Sequence, residues 1–337
     1  MKRKIPILNI IFNTILLIPI AIRMAYKLLI VIVLRDYKIL NIAVNEVVEK
    51  EGKAMPEVYR KRFRLYAIMG AVLGEWMSLL TGKSLTQKER HIAMYFCALT
   101  PVFDDLIDDY NYSAEDIYRL CKGEARDGDL LEKICIHFYE KLKTLTQKSD
   151  NELLNEYFEK VLDYQIRSRA QINGSLSDTE LTEIMYAKGG YSILYFKSIM
   201  DNGVQQNEEK TLFNIGALIQ FVNDIFDVYK DLQGSIQTLP NATKDIKILE
   251  NQYANLLDDT IKTCYTLPYH RLRIRCFLLS LMLIYSRGFV CLDQFFALQV
   301  KPNNVFEPNN YIRKDLICDM EKFRNLWKSY LYTVWYF

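Results

Sequence analysis

Apolar residues recur three and four positions apart along most of this chain, and that spacing limits its fold more than any other feature. It is clear in the segments ALIQFVNDIFDVY and LLSLMLIYS, where it places the apolar side chains on one face of a helix. Strict alternation, the pattern of a half-buried strand, is scarce, and only 13 Gly and 8 Pro occur in 337 residues. The sequence therefore predicts an all-α protein, and 50% apolar residues are enough for a sizeable core.

No linker, repeat or low-complexity segment divides the chain beyond residue 64. The polar breaks are short, as in NGSLSDTE and TLPNATKD, and several place Ser, Thr or Asp where it can cap the next helix. We predict a single α-helical domain over residues 41–337. Before it, residues 1–40 form an apolar segment flanked by basic residues.

The N-terminal segment carries most of the positive charge. Residues 1–64 hold 13 Lys and Arg against 5 Asp and Glu, whereas the net charge of the whole chain is only +2. These basic residues flank the runs IPILNIIFNTILLIPIAI and LLIVIVL, which suits an anionic membrane surface better than nucleic acid. Attachment to a membrane surface is our first interpretation of the segment. A first core helix, a membrane span and a signal peptide are the alternatives.

Cysteine and histidine usage excludes several kinds of site. The seven Cys are scattered, with no CxxC pair, which predicts reduced thiols in a cytoplasmic protein, peripheral on the inner face of a membrane if the N-terminal segment attaches there. The three His are too dispersed for a zinc site. No glycine-rich phosphate loop is found either, which disfavours nucleotide-dependent chemistry.

The segment ALTPVFDDLIDDYNYS puts Asp104, Asp105, Asp108 and Asp109 directly after an almost wholly apolar stretch. Thr100–Pro101 predicts either the start of a helix or a kink just before them. In a helix, the first and third aspartates lie one turn apart, and the second and fourth form a parallel pair beside them. Four carboxylates next to so apolar a helix repel one another strongly, so a cation is expected there.

A second polar line occurs in ALIQFVNDIFDVYKDLQG. Asn223, Asp227 and Asp231 are spaced i, i+4 and i+8, and Gln220 extends the line by one turn. Asp224 lies about 100° off that line on a helix with 3.6 residues per turn. Two polar lines on apolar helices predict a shared polar cavity.

Oxygen donors without His or Cys suit a hard cation such as Mg²⁺, which takes one or two carboxylates and leaves room for water and substrate phosphates. Such ions would hold a diphosphate between the two motifs. For either motif alone, a solvated acidic face is the alternative. Their joint occurrence in one chain makes coincidence a weaker explanation.

At these residues the sequence resembles the class I isoprenoid synthases, the superfamily that includes prenyl diphosphate, terpene, squalene and phytoene synthases. DDLIDD looks like the aspartate-rich DDxxD motif, and Asp104, Asp108 and Asp109 also suit the DxxxDD form of squalene synthases. The resemblance implies a helical bundle of the isoprenoid synthase type. It also implies three Mg²⁺ ions and a prenyl diphosphate substrate, held by the two acidic motifs.

The second motif resembles two branches of that superfamily. Asn223, Asp227 and Asp231 fall where terpene synthases place the metal ligands of NDxxSxxxE, with Asp replacing Ser and Glu. With Gln220 the pattern is closer to squalene and phytoene synthases, as are the neighbouring residues Val228, Gly234, Leu239 and Pro240. By resemblance, Lys188 in YAKGGYS and Gln220 are expected to bind substrate.

Three departures narrow the prediction. The isopentenyl diphosphate site of elongating enzymes, GGKxxRP, is reduced to EGKAMP; the YCxxVAG stretch of squalene and phytoene synthases is absent; and no clear C-terminal Arg-Tyr pair of terpene synthases occurs. We therefore predict first a Mg²⁺-dependent terpene synthase that ionises one allylic prenyl diphosphate. The alternatives are a head-to-head prenyl-condensing enzyme and a non-catalytic helical membrane protein.

The sequence leaves substrate chain length and product skeleton undetermined. Apolar helices such as CFLLSLMLIY allow a homodimer, so the oligomeric state is also open.

Overall fold

The computed structural model describes residues 7–36, 38–300 and 304–336. Within these ranges every regular element is a helix, and β pairing is limited to the isolated bridge between Ile172 and Ile236. The predicted all-α class is confirmed. Residues 1–6 and 37 of the predicted N-terminal segment, and residues 301–303 and 337 of the predicted domain, lie outside the described ranges.

The helices follow one another along the chain with short connections. In order they are α1 (Ile7–Tyr26), a π-helix (Lys27–Asp36), α2 (Lys38–Glu51), α3 (Glu57–Thr81), α4 (Gln87–Asp108), α5 (Ala114–Cys121), α6 (Leu130–Thr146), α7 (Asp150–Leu153), α8 (Glu156–Ser168), a 3₁₀ turn (Arg169–Gln171), α9 (Asp178–Ile199), α10 (Glu209–Gln233), α11 (Leu239–Ala242), α12 (Ile246–Cys264), α13 (Arg271–Gln299), a 3₁₀ turn (Pro308–Asn310), α14 (Arg313–Leu316) and α15 (Phe323–Trp335).

The chain divides into two compact units. The α4 unit comprises Ala21–Ile166 and Leu194–Gln205, and the α10 unit comprises Met1–Ile20, Arg167–Ile193 and Gln206–Phe337. Each has an aromatic core of edge-on ring contacts, such as Phe63 against Phe138 in the α4 unit and Phe221 against Tyr253 in the α10 unit. The predicted boundary between residues 40 and 41 stays a prediction.

Helix α4, which carries the first acidic motif, starts at a strong local signal. The hydroxyl of Thr86 accepts from the backbone N–H of Glu89, and the Glu89 carboxylate accepts from the backbone N–H of Thr86, which forms a capping box. The helix then runs through Pro101 to its end at Asp108. The interpretation of Thr100–Pro101 as a helix start is therefore wrong, because α4 starts after its N-cap Thr86, which lies 14 residues before Thr100.

A buried ionic cluster in the α4 unit holds the π-helix against α3 and α4. Lys27 pairs with Glu75 at 3.3 Å, and Arg90 pairs with Asp36 at 2.6 Å and with Glu75 at 3.5 Å. The two carboxylates have no exposed side-chain surface, and removing one partner of such a pair costs about 3–5 kcal/mol. The end of the apolar N-terminal segment is therefore fixed to the folded unit.

Within the part of the chain that the structure describes, three helical stretches are long and apolar enough to cross a membrane, by length and composition. They are Ile7–Glu51, Glu57–Thr81 and Arg271–Gln299, and their most apolar windows are 22%, 56% and 72% buried within the protein. The first of them thus leaves most of its apolar window exposed, unlike the other two.

Candidate functional site

The first acidic motif occupies the C-terminal end of α4 in the α4 unit. Asp104, Asp105 and Asp108 lie on the last turn and a half of the helix, and Asp109 caps it, donating its backbone N–H to the carbonyl of Asp105 at 2.9 Å. Asp108 and Asp109 are exposed, Asp104 is half-buried and Asp105 is buried. The predicted helical placement is confirmed for Asp104, Asp105 and Asp108, and α4 ends one residue before Asp109.

Asp105 pairs with a cation on the preceding helix. Both of its carboxylate oxygens accept from Nη1 of Arg62 on α3, at 2.6 and 2.8 Å. Burial of the guanidinium opposes its charge, but the hydrogen bond and charge of Asp105, with a contribution from Asp104, raise the pKa of Arg62 above its usual value. No pattern in the sequence indicates this partner, which lies 43 residues away.

Asp108 has a different neighbour. Its Oδ2 accepts from the side-chain amide of Gln165 on α8 at 3.1 Å. A neutral amide orients this carboxylate without cancelling its charge. Asp104, Asp108 and Asp109 have the spacing of the DxxxDD form.

The second acidic motif lies on α10 in the α10 unit. Asn223 is exposed, Asp227 is half-buried and Asp231 is buried, so the line passes from the surface into the unit along one side of the helix. Lys230 pairs with Asp227 at 3.3 Å, but the lysine side chain is mostly exposed, and such pairs contribute little to stability. The predicted helical spacing of the three residues is confirmed.

Two buried aspartates of α10 have strongly raised pKa values. Burial raises the pKa of Asp224 to about 7 and that of Asp231 to about 7. Each is also raised by neighbouring aspartates, with Asp227 acting on both. Burial, which disfavours the charged carboxylate, is the main cause of both shifts, and a divalent cation bound here would favour the charged form.

Lys188 and Gln220, the predicted substrate-binding residues, both lie beside these aspartates. The charge of Lys188 lowers the pKa of both Asp224 and Asp231, against the larger effect of burial. Gln220 donates to Oδ1 of Asp224 at 2.7 Å. Asp224, which the helical spacing placed off the polar line, is thus linked to it electrostatically, and sequence reasoning did not include it.

A crossing of two helices at glycines brings Lys188 to this position. A Cβ on Gly189 of α9 would lie 2.1 Å from the carbonyl oxygen of Gly216 on α10, and a Cβ on Gly216 would lie 2.0 Å from that of Gly189. Only residues without a side chain allow this approach. The signal was present in KGG of YAKGGYS and in the single Gly of NIGALIQ, but their pairing is not readable from spacing.

The donor set fits Mg²⁺ as a partial site on each motif. The donors are carboxylate and amide oxygens, which Mg²⁺ prefers. Among the described residues no three His, Cys, Asp or Glu side chains form a group that could hold a metal ion. Mg²⁺ in phosphate-transfer sites normally has one or two carboxylates, with water and substrate phosphates completing its shell. The lack of a group of three such side chains is therefore compatible with this oxygen donor set.

Comparisons with known proteins give one structural similarity. No family model matches the chain, and no curated protein matches it. Among solved structures, a dehydrosqualene synthase in complex with a ligand is similar, with 16% identity, a TM-score of 0.43, and coverage of 81% of this chain and 96% of that one. A TM-score of that size does not by itself assign a fold or an activity, so the assignment depends on the residues.

Proposed function

We propose that this protein is a Mg²⁺-dependent enzyme that ionises an allylic prenyl diphosphate and condenses two prenyl diphosphates head to head. The observation that supports this proposal most is the pairing of Asp105 with Arg62, at 2.6 and 2.8 Å. It gives Asp105 a structural role, and Asp104, Asp108 and Asp109 have the DxxxDD spacing that resembles squalene synthases.

This preference differs from the first expectation, a terpene synthase acting on one substrate. In a DDxxD motif Asp105 would be part of the acidic set, whereas here Arg62 occupies both of its oxygens. The second motif points the same way, because Gln220 is hydrogen-bonded within it rather than facing solvent alone. The dehydrosqualene synthase found by comparison agrees with this preference but does not carry it.

The proposal assigns the acidic residues of the two motifs to metal binding. Asp104, Asp108 and Asp109 would supply oxygens from one motif, and Asn223, Asp227 and Asp231 from the other. Bound Mg²⁺ would supply Lewis-acid stabilisation of the charge that develops on the leaving diphosphate oxygens.

Lys188 would provide a cation from the protein itself. Its charge already acts on Asp224 and Asp231, so it lies where a diphosphate bound to this motif would place its negative oxygens. Gln220 is a positioning residue, since it holds Asp224 at 2.7 Å. Apolar and aromatic side chains of α10, such as buried Phe221, would keep water from the carbocation.

The test measures diphosphate release and product carbon number together. The purified protein, in detergent if needed, is incubated with geranyl, farnesyl and geranylgeranyl diphosphates with and without Mg²⁺. Magnesium-dependent release with a doubled carbon number is the expected result. No release from any of these substrates would reject the enzyme proposal in favour of a non-catalytic helical membrane protein.

A terpene synthase is the second candidate, because one departure counts against the condensing branch and another counts against chain elongation. The YCxxVAG stretch is replaced by YAKGGYS, and EGKAMP lacks the arginine of an elongation site. In the same experiment, this candidate predicts magnesium-dependent release with a product of unchanged carbon number.

A further inference from the structure

Helix α1 has two unlike faces within the α10 unit. Asn13, Leu17 and Ile20 are buried, whereas Leu8, Ile11, Ile15 and Ile18 are between 51% and 78% exposed. The exposed positions recur at i, i+3 and i+4, so they form one continuous apolar stripe. A stripe of this size on a folded unit marks a surface that contacts something apolar.

Polar bonds fix the other face of α1 to the protein. The side-chain amide of Asn13 donates to the carbonyl of Val334 on α15 at 2.9 Å, and its Oδ1 accepts from Nε of Arg275 on α13 at 2.8 Å. The hydroxyls of Thr14 and Tyr330 are 2.8 Å apart. A helix that left the unit to cross a membrane would lose all of these bonds, so this face favours a helix that stays in place.

The C-terminal helix α15 extends the apolar stripe. Phe323 and Trp327 are 79% and 51% exposed, and their rings stack with centroids 6.5 Å apart. Trp327 in turn contacts Tyr330, with ring centroids 5.3 Å apart, and Tyr330 reaches α1 through Thr14. Exposed Trp and Phe beside aliphatic residues are typical of segments at a membrane interface.

Basic residues border this surface. The guanidinium of Arg275 lies 4.9 Å from the ring centroid of Phe12 on α1, and Arg271, one turn earlier on α13, is exposed. At the start of α15, Lys322 and Arg324 are exposed, although Asp319 lies 3.8 Å from Lys322. No Asp or Glu occurs before residue 36, so the helix itself adds no negative charge to the surface.

We propose that the docking surface, formed by Leu8, Ile11, Ile15 and Ile18 of α1 with Phe323 and Trp327 of α15, lies flat on an anionic lipid bilayer. The apolar stripe enters the acyl boundary while the bordering Arg and Lys contact anionic headgroups. The sequence analysis placed membrane contact in residues 1–40 only. This surface also includes the C-terminal helix α15, and the first turn of α13 borders it. The inference does not rest on the proposed enzymatic function.

Vesicle binding of the full chain tests the proposal. The protein is sedimented with vesicles of phosphatidylcholine alone and of phosphatidylcholine mixed with phosphatidylglycerol. Ile11→Ser with Ile15→Ser, and separately Phe323→Ser with Trp327→Ser, should each weaken binding to the anionic vesicles about tenfold or more, because each pair removes apolar area from the interface. Circular dichroism checks that each variant is folded.

Two controls separate this surface from general stickiness and from charge alone. Ile248→Ser changes an isoleucine of the same unit that is 65% exposed but lies on α12, and it should leave binding unchanged. Arg271→Glu with Arg324→Glu should weaken binding to anionic vesicles and leave any residual binding to neutral vesicles unchanged.

Three results would overturn the proposal. One is equal binding by the wild type and both apolar variants. Another is retention on the vesicles after an alkaline carbonate wash, which would indicate a spanning helix. The third is the absence of vesicle binding together with a dimer that the apolar variants convert to monomers. That result would show that the surface binds a second copy of the chain.

Discussion

The two acidic motifs hold similar numbers of aspartates but balance their charge differently. On α4, Arg62 neutralises buried Asp105 at 2.6 Å, and the exposed aspartates remain next to it. On α10, burial raises the pKa of Asp224 and Asp231 to about 7, and the charge of Lys188 opposes the shift at both residues. One buried aspartate is therefore balanced by a cation, whereas the other two are shifted towards the neutral form.

The largest effect is expected from the second motif. Asp227→Asn should reduce prenyl diphosphate turnover by at least about 100-fold, because it removes a carboxylate that stabilises developing charge through the metal. Steady-state rates at saturating Mg²⁺ measure this loss. Asp258→Asn, on α12 of the same unit, is the matched control and should retain activity. Equal activity of the wild type and Asp227→Asn would remove this motif from the proposed site.

A large effect is also expected at the glycine crossing. Gly216→Ala places a Cβ 2.0 Å from the backbone oxygen of Gly189, so α9 and α10 must separate and carry Lys188 away from Asp224 and Asp231. We expect a lower melting temperature and a higher KM for the diphosphate substrate. Gly234→Ala is the control, because the atom closest to its added Cβ would be in the side chain of Ile236, 3.3 Å away. An unchanged KM in Gly216→Ala would disconnect the crossing from the site.

A moderate effect is expected from the Arg62 pair. Arg62→Gln leaves the Asp105 carboxylate buried without its cation, which should lower the free energy of unfolding by about 1–3 kcal/mol. Adding Asp105→Asn should recover part of that loss, and the double-mutant cycle measures the coupling. Arg167→Gln breaks a pair with Glu183 in which both side chains are exposed, and it should change stability little. Zero coupling between Arg62 and Asp105 would contradict the assignment.

The smallest effect on catalysis is expected at Asp105 itself. If Arg62 holds Asp105, Asp105→Asn should keep a Mg²⁺ requirement close to that of the wild type, whereas Asp108→Asn should raise the Mg²⁺ concentration needed for half-maximal rate. Magnesium titrations of both variants measure the difference. The same shift in both variants would return Asp105 to the metal-binding set.

Much of the fold could be predicted because its signals are local. The 3.6-residue period indicated the helices, and i, i+4 and i+8 spacing placed Asn223, Asp227 and Asp231 on one side of α10. Pairings between distant residues were not predictable in this way. Arg62 and Asp105 are 43 positions apart, and nothing in RKRFR distinguishes the third residue from its basic neighbours.

The raised pKa values of Asp224 and Asp231 show the same limit. The sequence gives their spacing, but burial, which raises each pKa most, depends on how α10 packs in its unit. Pro101 illustrates the converse, because a local rule suggested a helix start whereas α4 continues through it. The predicted homodimer and the cytoplasmic location stay predictions.

Diphosphate release from farnesyl diphosphate, measured with and without Mg²⁺ for the wild type, Asp108→Asn and Asp105→Asn, tests the central claim most directly. We predict release by the wild type only with Mg²⁺, reduced release in Asp108→Asn that higher Mg²⁺ partly restores, and near wild-type release in Asp105→Asn. Release that does not need Mg²⁺, or equal loss in both variants, would contradict the distinction between a metal-binding carboxylate and one held by Arg62.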